Sequence, residues 1–185
     1  MSDIKNVSAS KPKLTGCAYV APIGTAVPTD ATTELDPTYK ALGYNSEDGM
    51  TNSNSMETED IKAWGGQIVY SAQTEKTDTF QTSFIESLNA DVLKVIYGDD
   101  NVTVDESQKK ITVKANANEI PTRVVVFDMI LNGNAVKRIV VPNAKVSELG
   151  DIVYVDNDVI KYEVTFKALP DSELNTHYEY ISLGA

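Results

Sequence analysis

The segment that most constrains the fold of this chain is a polar, acidic stretch in its first half, SEDGMTNSNSMETEDIKAWGG at residues 46–66. It is too long for a tight turn, and its aromatic residue and two glycines lead into a strand-like run. A loop of that length inside a compact domain is uncommon unless it is functional or disordered. Ile61 and Trp64 are apolar side chains that a disordered linker does not require. The sequence therefore predicts a long, irregular, functional loop over about residues 45–66, with disorder as the alternative.

Most of the remaining chain carries strand patterns. The clearest is IKYEVTFKA at residues 160–168, where apolar and polar side chains alternate, as in a strand with one buried face. The apolar run TRVVVFDMIL at 122–131 suits a buried strand, and the turn residues Asn132-Gly133-Asn134 lead from it into a further strand. Shorter strands are expected at residues 14–20 and 41–44, and a hairpin at 101–104 and 110–114.

Residues 67–82 predict a strand that is polar on both faces. The stretch QTEKTDTF at 73–80 is rich in threonine, a β-branched residue that favours strands, but apolar and polar residues scarcely alternate in it. A strand that is solvent-exposed on both faces is typical of a protruding hairpin or of a surface that faces a water-filled channel.

The sequence predicts a single α-helix, at about residues 84–97. Ser83 followed by Glu86 fits a capping box, in which each side chain satisfies a free backbone amide at the helix N-terminus. Apolar residues then recur at helical spacing, and Gly98 provides a left-handed stop at the C-terminus. Asn89 offers a competing, later start.

Together these patterns predict a mainly β fold: an antiparallel β-sandwich or flattened barrel with one flanking α-helix and a long irregular loop. A chain of 185 residues suits one domain that can bury a core without disulfides. We expect a flexible N-terminal arm over residues 1–13, the β-domain over 14–170 and a C-terminal tail over 171–185.

The charge of the chain argues against nucleic-acid binding. Asp and Glu number 27 against 16 Lys and Arg, for a formal net charge of −11. A protein that binds DNA needs a basic surface that neutralises phosphates. An acidic channel wall, in contrast, repels the phosphates and lets DNA pass without binding. No stretch is apolar enough for a transmembrane helix. The polar start MSDIKN lacks a signal-peptide core, so we expect synthesis in a cytoplasm and no membrane insertion.

The sequence offers little catalytic or metal-binding chemistry. His177 is the only histidine and lies among polar residues, which indicates an exposed side chain rather than a catalytic base. Cys17 is the only cysteine, so no internal disulfide can form. Phosphate-loop and nucleophile-elbow motifs are missing, and the acidic clusters at 99–106 and 156–158 lack the ligand spacing of an EF-hand. We expect no enzymatic activity, no metal and no cofactor.

Three motifs follow one another along the chain: SEDG at residues 46–49, ETEDIKAWGG at 57–66 and VIYGDDNV at 95–102. In this order they resemble the major tail tube proteins of long, non-contractile-tailed bacteriophages (the siphovirus type), over about residues 14–170. The resemblance implies a β-sandwich flanked by a helix, whose subunits form hexameric rings. These rings would stack, and strands from every subunit would join into a continuous inner β-barrel that serves as the conduit for DNA delivery into the host.

The resemblance also implies roles for particular residues. Contacts within and between rings would involve Glu57, Asp60, Ile61, Lys62 and Trp64 of the long loop, together with the N-terminal arm. The lumen-facing residues, counted in alternation from Val69, would be Gln73, Glu75, Thr77, Thr79 and Gln81. The implied partners are further copies of the same chain, the tape-measure protein, the tail terminator and the distal tail or baseplate proteins, while DNA passes without specific binding. The protein would be part of the virion tail, after synthesis in the host cytoplasm.

Other readings of the sequence stay open at this point. The same fold suits the tube protein of a prophage-derived particle or of an injection machine. A non-viral β-sandwich recognition module for sugars or proteins is a second alternative, and it predicts a stable monomer with an aromatic-lined pocket. An enzyme of unknown type fits the residues least well.

Overall fold

The computed structural model describes residues 2–13 and 16–184. Within these residues the chain forms eleven strands and one α-helix. The strands are β1 (Lys11–Pro12), β2 (Ala18–Pro22), β3 (Lys40–Ala41), β4 (Asn45–Lys62), β5 (Ile68–Phe84), β6 (Val102–Asp105), β7 (Lys110–Val113), β8 (Arg123–Ile130), β9 (Val136–Leu149), β10 (Tyr162–Leu169) and β11 (Tyr178–Ser182). Helix α1 spans Ala90–Tyr97, and 3-10 helices span Ile4–Asn6, Asp99–Asn101 and Asn132–Asn134.

Nine of the strands form one antiparallel sheet, and seven of them follow one another in the order β3-β2-β8-β9-β10-β5-β4. β1 extends the same edge of β8 that pairs with β2, and β11 pairs with β9 next to β10. β6 and β7 form a separate hairpin. The prediction of a mainly antiparallel β fold with one α-helix is confirmed.

The large sheet is strongly curled, which brings its two ends close together. β3 and β4 lie at opposite ends of the strand order, yet only residues 42–44 separate them along the chain. The rings of Phe80 on β5 and Phe127 on β8 stack with their centroids 5.9 Å apart, although β9 and β10 lie between these strands in the sheet. Such a short distance requires the sheet to curl around a shared core. The described residues show no pairing between β3 and β4, so the sheet is curled but open; we call this curled sheet the barrel.

The core fills the inside of this curled sheet and is closed by α1. On β10, Tyr162, Val164, Phe166 and Ala168 are buried, in the alternation that the sequence predicts. Helix α1 buries its apolar side against the same core through Val92, Leu93, Val95 and Ile96.

β8 is buried on both of its faces. Val125 and Phe127 point into the barrel core, whereas Val124 and Val126 belong to a second cluster outside the barrel with Tyr39. The loop that follows β2 supplies Tyr39 and covers this outer face. Because both faces are covered, the sequence of β8 is largely apolar, with Asp128 as its interior charged residue.

A buried ion pair fastens that covering loop to the sheet. Nε and Nη2 of Arg138 donate to the two carboxylate oxygens of Asp128 at 2.7 and 2.9 Å, and Lys13 donates to Asp128 at 2.8 Å. Nη1 of Arg138 donates to the carbonyl oxygens of Asp30 and Thr33 at 3.1 and 2.8 Å. One guanidinium thus joins β8, β9 and the loop.

The helix begins later than the capping-box prediction places it. Asn89 is the N-cap: its side chain accepts from the backbone N–H of Asp91 at 3.0 Å. Ser83 belongs to β5, where it pairs with Glu163, and Glu86 accepts from the backbone N–H of Tyr44 at 3.0 Å. The start at residue 84 is therefore wrong, because pairing with β10 keeps this segment extended. The helix ends at Tyr97, before the predicted Gly98 stop.

The predicted irregular loop over residues 45–66 is also wrong. Residues 45–62 form β4, which pairs with β5 from Asn45 opposite Phe84 to Lys62 opposite Ile68. Only a short turn joins the two strands. Most of β4 is exposed on both faces, so it carries none of the apolar alternation by which a strand is recognised.

The two ends of the chain also contribute to the sheet. The first predicted strand, at 14–20, is found as β2 at Ala18–Pro22, and its residues 14 and 15 lie outside the described part. Upstream, the side chain of Asn132 donates to the carbonyl of Val7 at 3.1 Å. Near the other end, β11 adds five residues that pair with β9. The domain boundaries given above stay predictions.

Candidate assembly site on the β4–β5 hairpin

The feature of the structure that points most clearly to function is the hairpin of β4 and β5, with strands of 18 and 17 residues. Only its root belongs to the barrel, because β10 pairs with β5 over Thr79–Phe84 alone. Beyond the root, residues 51–76 are exposed except for the half-buried Ala72. Within the described residues, nothing covers either face or either outer edge of this outer part.

The root is held by alternate side chains that point into the barrel. Phe80 and Phe84 are fully buried, and Asp78 between the root and the outer part is buried as well. The Asp78 carboxylate accepts from Asn52 Nδ2 at 2.7 Å and from Thr176 Oγ1 at 2.8 Å, and His177 Nδ1 lies 2.5 Å away. The prediction that His177 is a surface residue is therefore wrong.

The predicted lumen residues do not all share one face of the hairpin. Glu57 pairs with Glu75, but the next residue, Thr58, pairs with Gln73, so Thr74 forms a β-bulge. Cross-strand partners lie on the same face, whereas neighbours along a strand lie on opposite faces. The bulge thus puts Gln73 on the face opposite to the other four residues. Their facing a lumen stays a prediction.

The other four residues continue into a wider polar surface. Gln81 pairs with Thr165 and Thr79 with Lys167 on β10, and Gln81 Nε2 donates to Glu163 at 2.6 Å. This surface, which we call the polar face, consists of Glu75, Thr77, Thr79, Gln81, Glu163, Thr165 and Lys167. It lies on the outside of the barrel, opposite the buried side chains of the same strands.

The far end of the hairpin is apolar and acidic. We call residues 56–70 the hairpin tip. The N–H of Ala63 donates to the carbonyl of Gln67 at 2.7 Å, and Gly65 and Gly66 have positive φ angles of 104° and 92° that favour glycine. Trp64 at the turn is fully exposed. The exposed apolar side chains of the tip are Met56, Ile61, Trp64, Ile68, Val69 and Tyr70.

The structure brings all five predicted ring and stacking residues together on the hairpin tip. Glu57, Asp60, Ile61, Lys62 and Trp64 are all exposed there, while their contacts with other copies stay predictions. Sequence reasoning missed Ile68, Val69 and Tyr70, which add to the apolar surface from the opposite strand. The signal was available, since the run IVY directly follows the two glycines.

The described residues contain no group of three or more His, Cys, Asp or Glu side chains that could hold a metal ion. Asp99, a member of one acidic cluster in the sequence, is an ion-pair partner of Arg123 at 2.8 Å. The structure, over the residues described, also contains no helix of the length and apolar character needed to cross a membrane.

Comparison with known protein families gives a match over nearly the whole sequence. A family described as "Phage tail tube protein" matches residues 7–184. Among solved structures, the chain is similar to one in the extended sheath–tube complex of an extracellular contractile injection system, PVC, with 8% sequence identity and a TM-score of 0.46 over 93% of each chain. No curated protein matches the sequence.

Proposed function

The chain belongs to the phage tail tube protein family, and from that premise we propose that it builds the tube of a phage tail as stacked hexameric rings. The tube is the conduit through which DNA is delivered into the host. The observation that carries this proposal is the hairpin tip, an ordered element with exposed apolar side chains that no described residue of its own chain covers.

An exposed hairpin of this kind suits a protein that assembles with itself. Unpaired strand edges bind other strands, so most soluble proteins shorten or protect them. Here β4 is an edge strand of 18 residues, and its partner β5 has a second free edge beyond Asp78. Pairing between copies through these edges joins the sheets of neighbouring subunits into a closed barrel around a channel.

The polar face is the proposed wall of that channel. Its side chains are hydroxyls, an amide and a mixture of acidic and basic groups, with Glu75, Glu163 and Lys167 as the charged members. It offers no cluster of cations that would hold phosphates. Together with the net charge of −11, this composition suits a wall along which DNA slides without specific binding.

The remaining proposed partners follow from the same assignment. They are the tape-measure protein inside the tube, the tail terminator at one end and the distal tail or baseplate proteins at the other. The protein would be located in the virion tail, and its membership of the family gives no reason to assign it an enzymatic activity.

The experiment that tests this function is electron microscopy of the purified protein at increasing concentration, with light scattering of a fresh dilute sample. We expect a small species that grows into rings and then hollow tubes. A chain that stays monomeric at high concentration, with and without added tail-tip proteins, would contradict the proposal and favour a recognition module. A position of the tube gene beside terminase, capsid and tape-measure genes would favour a phage over an injection machine.

A further inference from the structure

We propose that the hairpin tip of one copy docks into a specific cleft of another copy, at the root end of the hairpin. The cleft has a volume of about 480 Å³ and lies between β2, β3, α1 and the first residue of β8. Its apolar walls include Val20, Pro22 and Pro37, and its cations are Lys40, Lys94 and Arg123. This inference rests on the proposed function and names the partner surface within it.

The tip cannot reach the cleft of its own chain. The cleft lies at the root, because α1 follows β5 after a short connection and Arg123 donates to the Lys94 carbonyl at 3.2 Å. The 17 residues of β5 run from Ile68 in the tip to Phe84 at the end of the root, a length of roughly 50 Å at about 3.3 Å per residue. A contact between tip and cleft therefore joins two copies, head to tail, and can repeat without limit.

The cleft is locally basic in a strongly acidic protein. Lys94 pairs with Asp91 at 3.5 Å and Arg123 with Asp99 at 2.8 Å, whereas Lys40 donates to the carbonyl of Pro37 at 3.5 Å and to no carboxylate of the described residues. The three cations thus face two carboxylates, which leaves one positive charge in excess.

Arg123 is the most buried of the three cations of the cleft. Its side chain is buried, and its Nε has no hydrogen-bond partner among the described residues. A buried donor without an acceptor is costly. The Nε atom has almost no exposed surface, so it is not a contact for an incoming carboxylate, and the attraction for an acidic partner comes from the excess positive charge of the cleft.

The hairpin tip carries the complementary groups. Trp64 and Ile61 are exposed apolar side chains that fit the apolar walls, and aromatic anchors of this kind dominate interfaces. Glu57, Glu59 and Asp60 flank them, against the single cation Lys62.

A second cleft at the same end is excluded by its charge. It has a volume of about 270 Å³ and is lined by the acids Asp48, Asp151, Asp158 and Glu163 against Lys161. Like charges that meet across an interface are unfavourable, so the acidic tip selects the basic cleft.

Site-directed cross-linking of mixed variants tests this assignment. One preparation carries Ala63→Cys beside Trp64, and the other carries Thr38→Cys in the basic cleft or, as the control, Val155→Cys in the acidic one. The native Cys17 is buried, and burial together with nearby Asp128 raises the pKa of its thiol to about 11, so it stays unreactive. The preparations are mixed, assembled and oxidised with diamide.

We expect at least about tenfold more cross-linked dimer with Thr38→Cys than with Val155→Cys, because a docked tip holds two thiols at high effective concentration. Tubes that form without the Thr38→Cys cross-link, or with equal cross-linking of both, would overturn the docking site but leave the proposed function intact. If neither tubes nor cross-links form, both proposals fail.

Charge reversal provides a second test that keeps the native thiol content. Asp60→Lys or Lys94→Glu alone should raise the concentration needed for half-maximal assembly by about tenfold, and the double variant should recover most of that loss. Strictly additive effects of the two substitutions would contradict a contact between these regions.

Discussion

The Nδ1 atom of His177 lies 2.5 Å from the Oδ2 atom of Asp78, a carboxylate with no exposed surface. The pair joins the segment before β11 to the point where β5 leaves the barrel. The ring of His177 also meets Phe80 edge to face, with centroids 5.2 Å apart. The C-terminal region therefore fixes the root of the hairpin, and with it the direction in which the hairpin projects.

Replacing His177 should loosen this attachment. His177→Ala removes a partner of a buried carboxylate and an aromatic contact, so we expect a loss of about 1–3 kcal/mol in the free energy of unfolding. Urea denaturation of the monomer measures this loss. The matched control is Glu173→Ala, an exposed substitution in the same segment, which should change stability by less than about 0.5 kcal/mol. Equal effects of both variants would argue against the role of the pair.

Removing Trp64 should separate folding from assembly. The side chain is fully exposed, so Trp64→Ala should leave the thermal unfolding of the monomer unchanged but prevent or strongly reduce tube formation. Electron microscopy and calorimetry of the same sample provide the two readouts. Val104→Ala, an exposed apolar residue on β6, is the control and should form tubes. Normal tubes from Trp64→Ala would show that the tip is not an assembly contact.

The face of the hairpin that lines the channel can be identified by neighbouring substitutions. Glu75→Lys adds a cation to the polar face of every subunit, so assembled tubes should retain DNA at low salt and release it as salt is raised. Lys76 lies on the opposite face, and Gln73 joins it there because of the bulge at Thr74. Gln73→Lys should therefore leave DNA retention by sedimented tubes unchanged, and equal retention by both lysine variants would contradict the face assignment.

The Asp128–Arg138 pair should make the free energy of unfolding depend on pH in the acidic range. Burial on its own raises the pKa of Asp128, but hydrogen bonds from Arg138 and Lys13 outweigh it, and the pKa lies below its ordinary value. A lowered pKa gives stability that is present above the unfolded value of about 3.9 and is lost as pH falls through the folded value. Urea denaturation from pH 7 downwards measures this loss.

The variant Asp128→Asn supplies the comparison. It leaves the Arg138 charge buried without its counter-ion, so stability at pH 7 should fall by about 3–5 kcal/mol, and the acid-dependent loss below pH 4 should become smaller. Asp158→Asn, at an exposed pair with Lys161, should change neither by much. If Asp128→Asn left the pH dependence of the free energy of unfolding unchanged, other carboxylates would account for the loss of stability in acid.

The parts of the fold that could be predicted are those where one face of an element is buried. β10 alternates because one of its faces packs against the core, and β8 is largely apolar because both of its faces are covered. Neither face of β4 is covered along most of its length. Its sequence therefore lacks the alternation of apolar and polar residues that marks a half-buried strand, and it resembles the sequence of a loop.

Other features depend on contacts between distant parts of the chain. Ser83 is a good helix cap locally, but pairing with Glu163 on β10 keeps it in a strand, and the cap role passes to Asn89. The bulge at Thr74, which moves Gln73 to the other face, is a matter of register that counting along one strand does not detect. Asp78 and His177 are 99 residues apart, and no local pattern connects them.

The bare outer part of the β4–β5 hairpin has a consequence for the timing of assembly. A two-stranded ribbon without a packed face is only marginally stable in water, so in a free subunit this part opens and closes locally while the barrel stays folded. A neighbouring subunit that covers the ribbon buries its exposed side chains and suppresses this local opening. Completion of folding is thereby postponed until a subunit joins its neighbours, which makes incorporated subunits slow to leave.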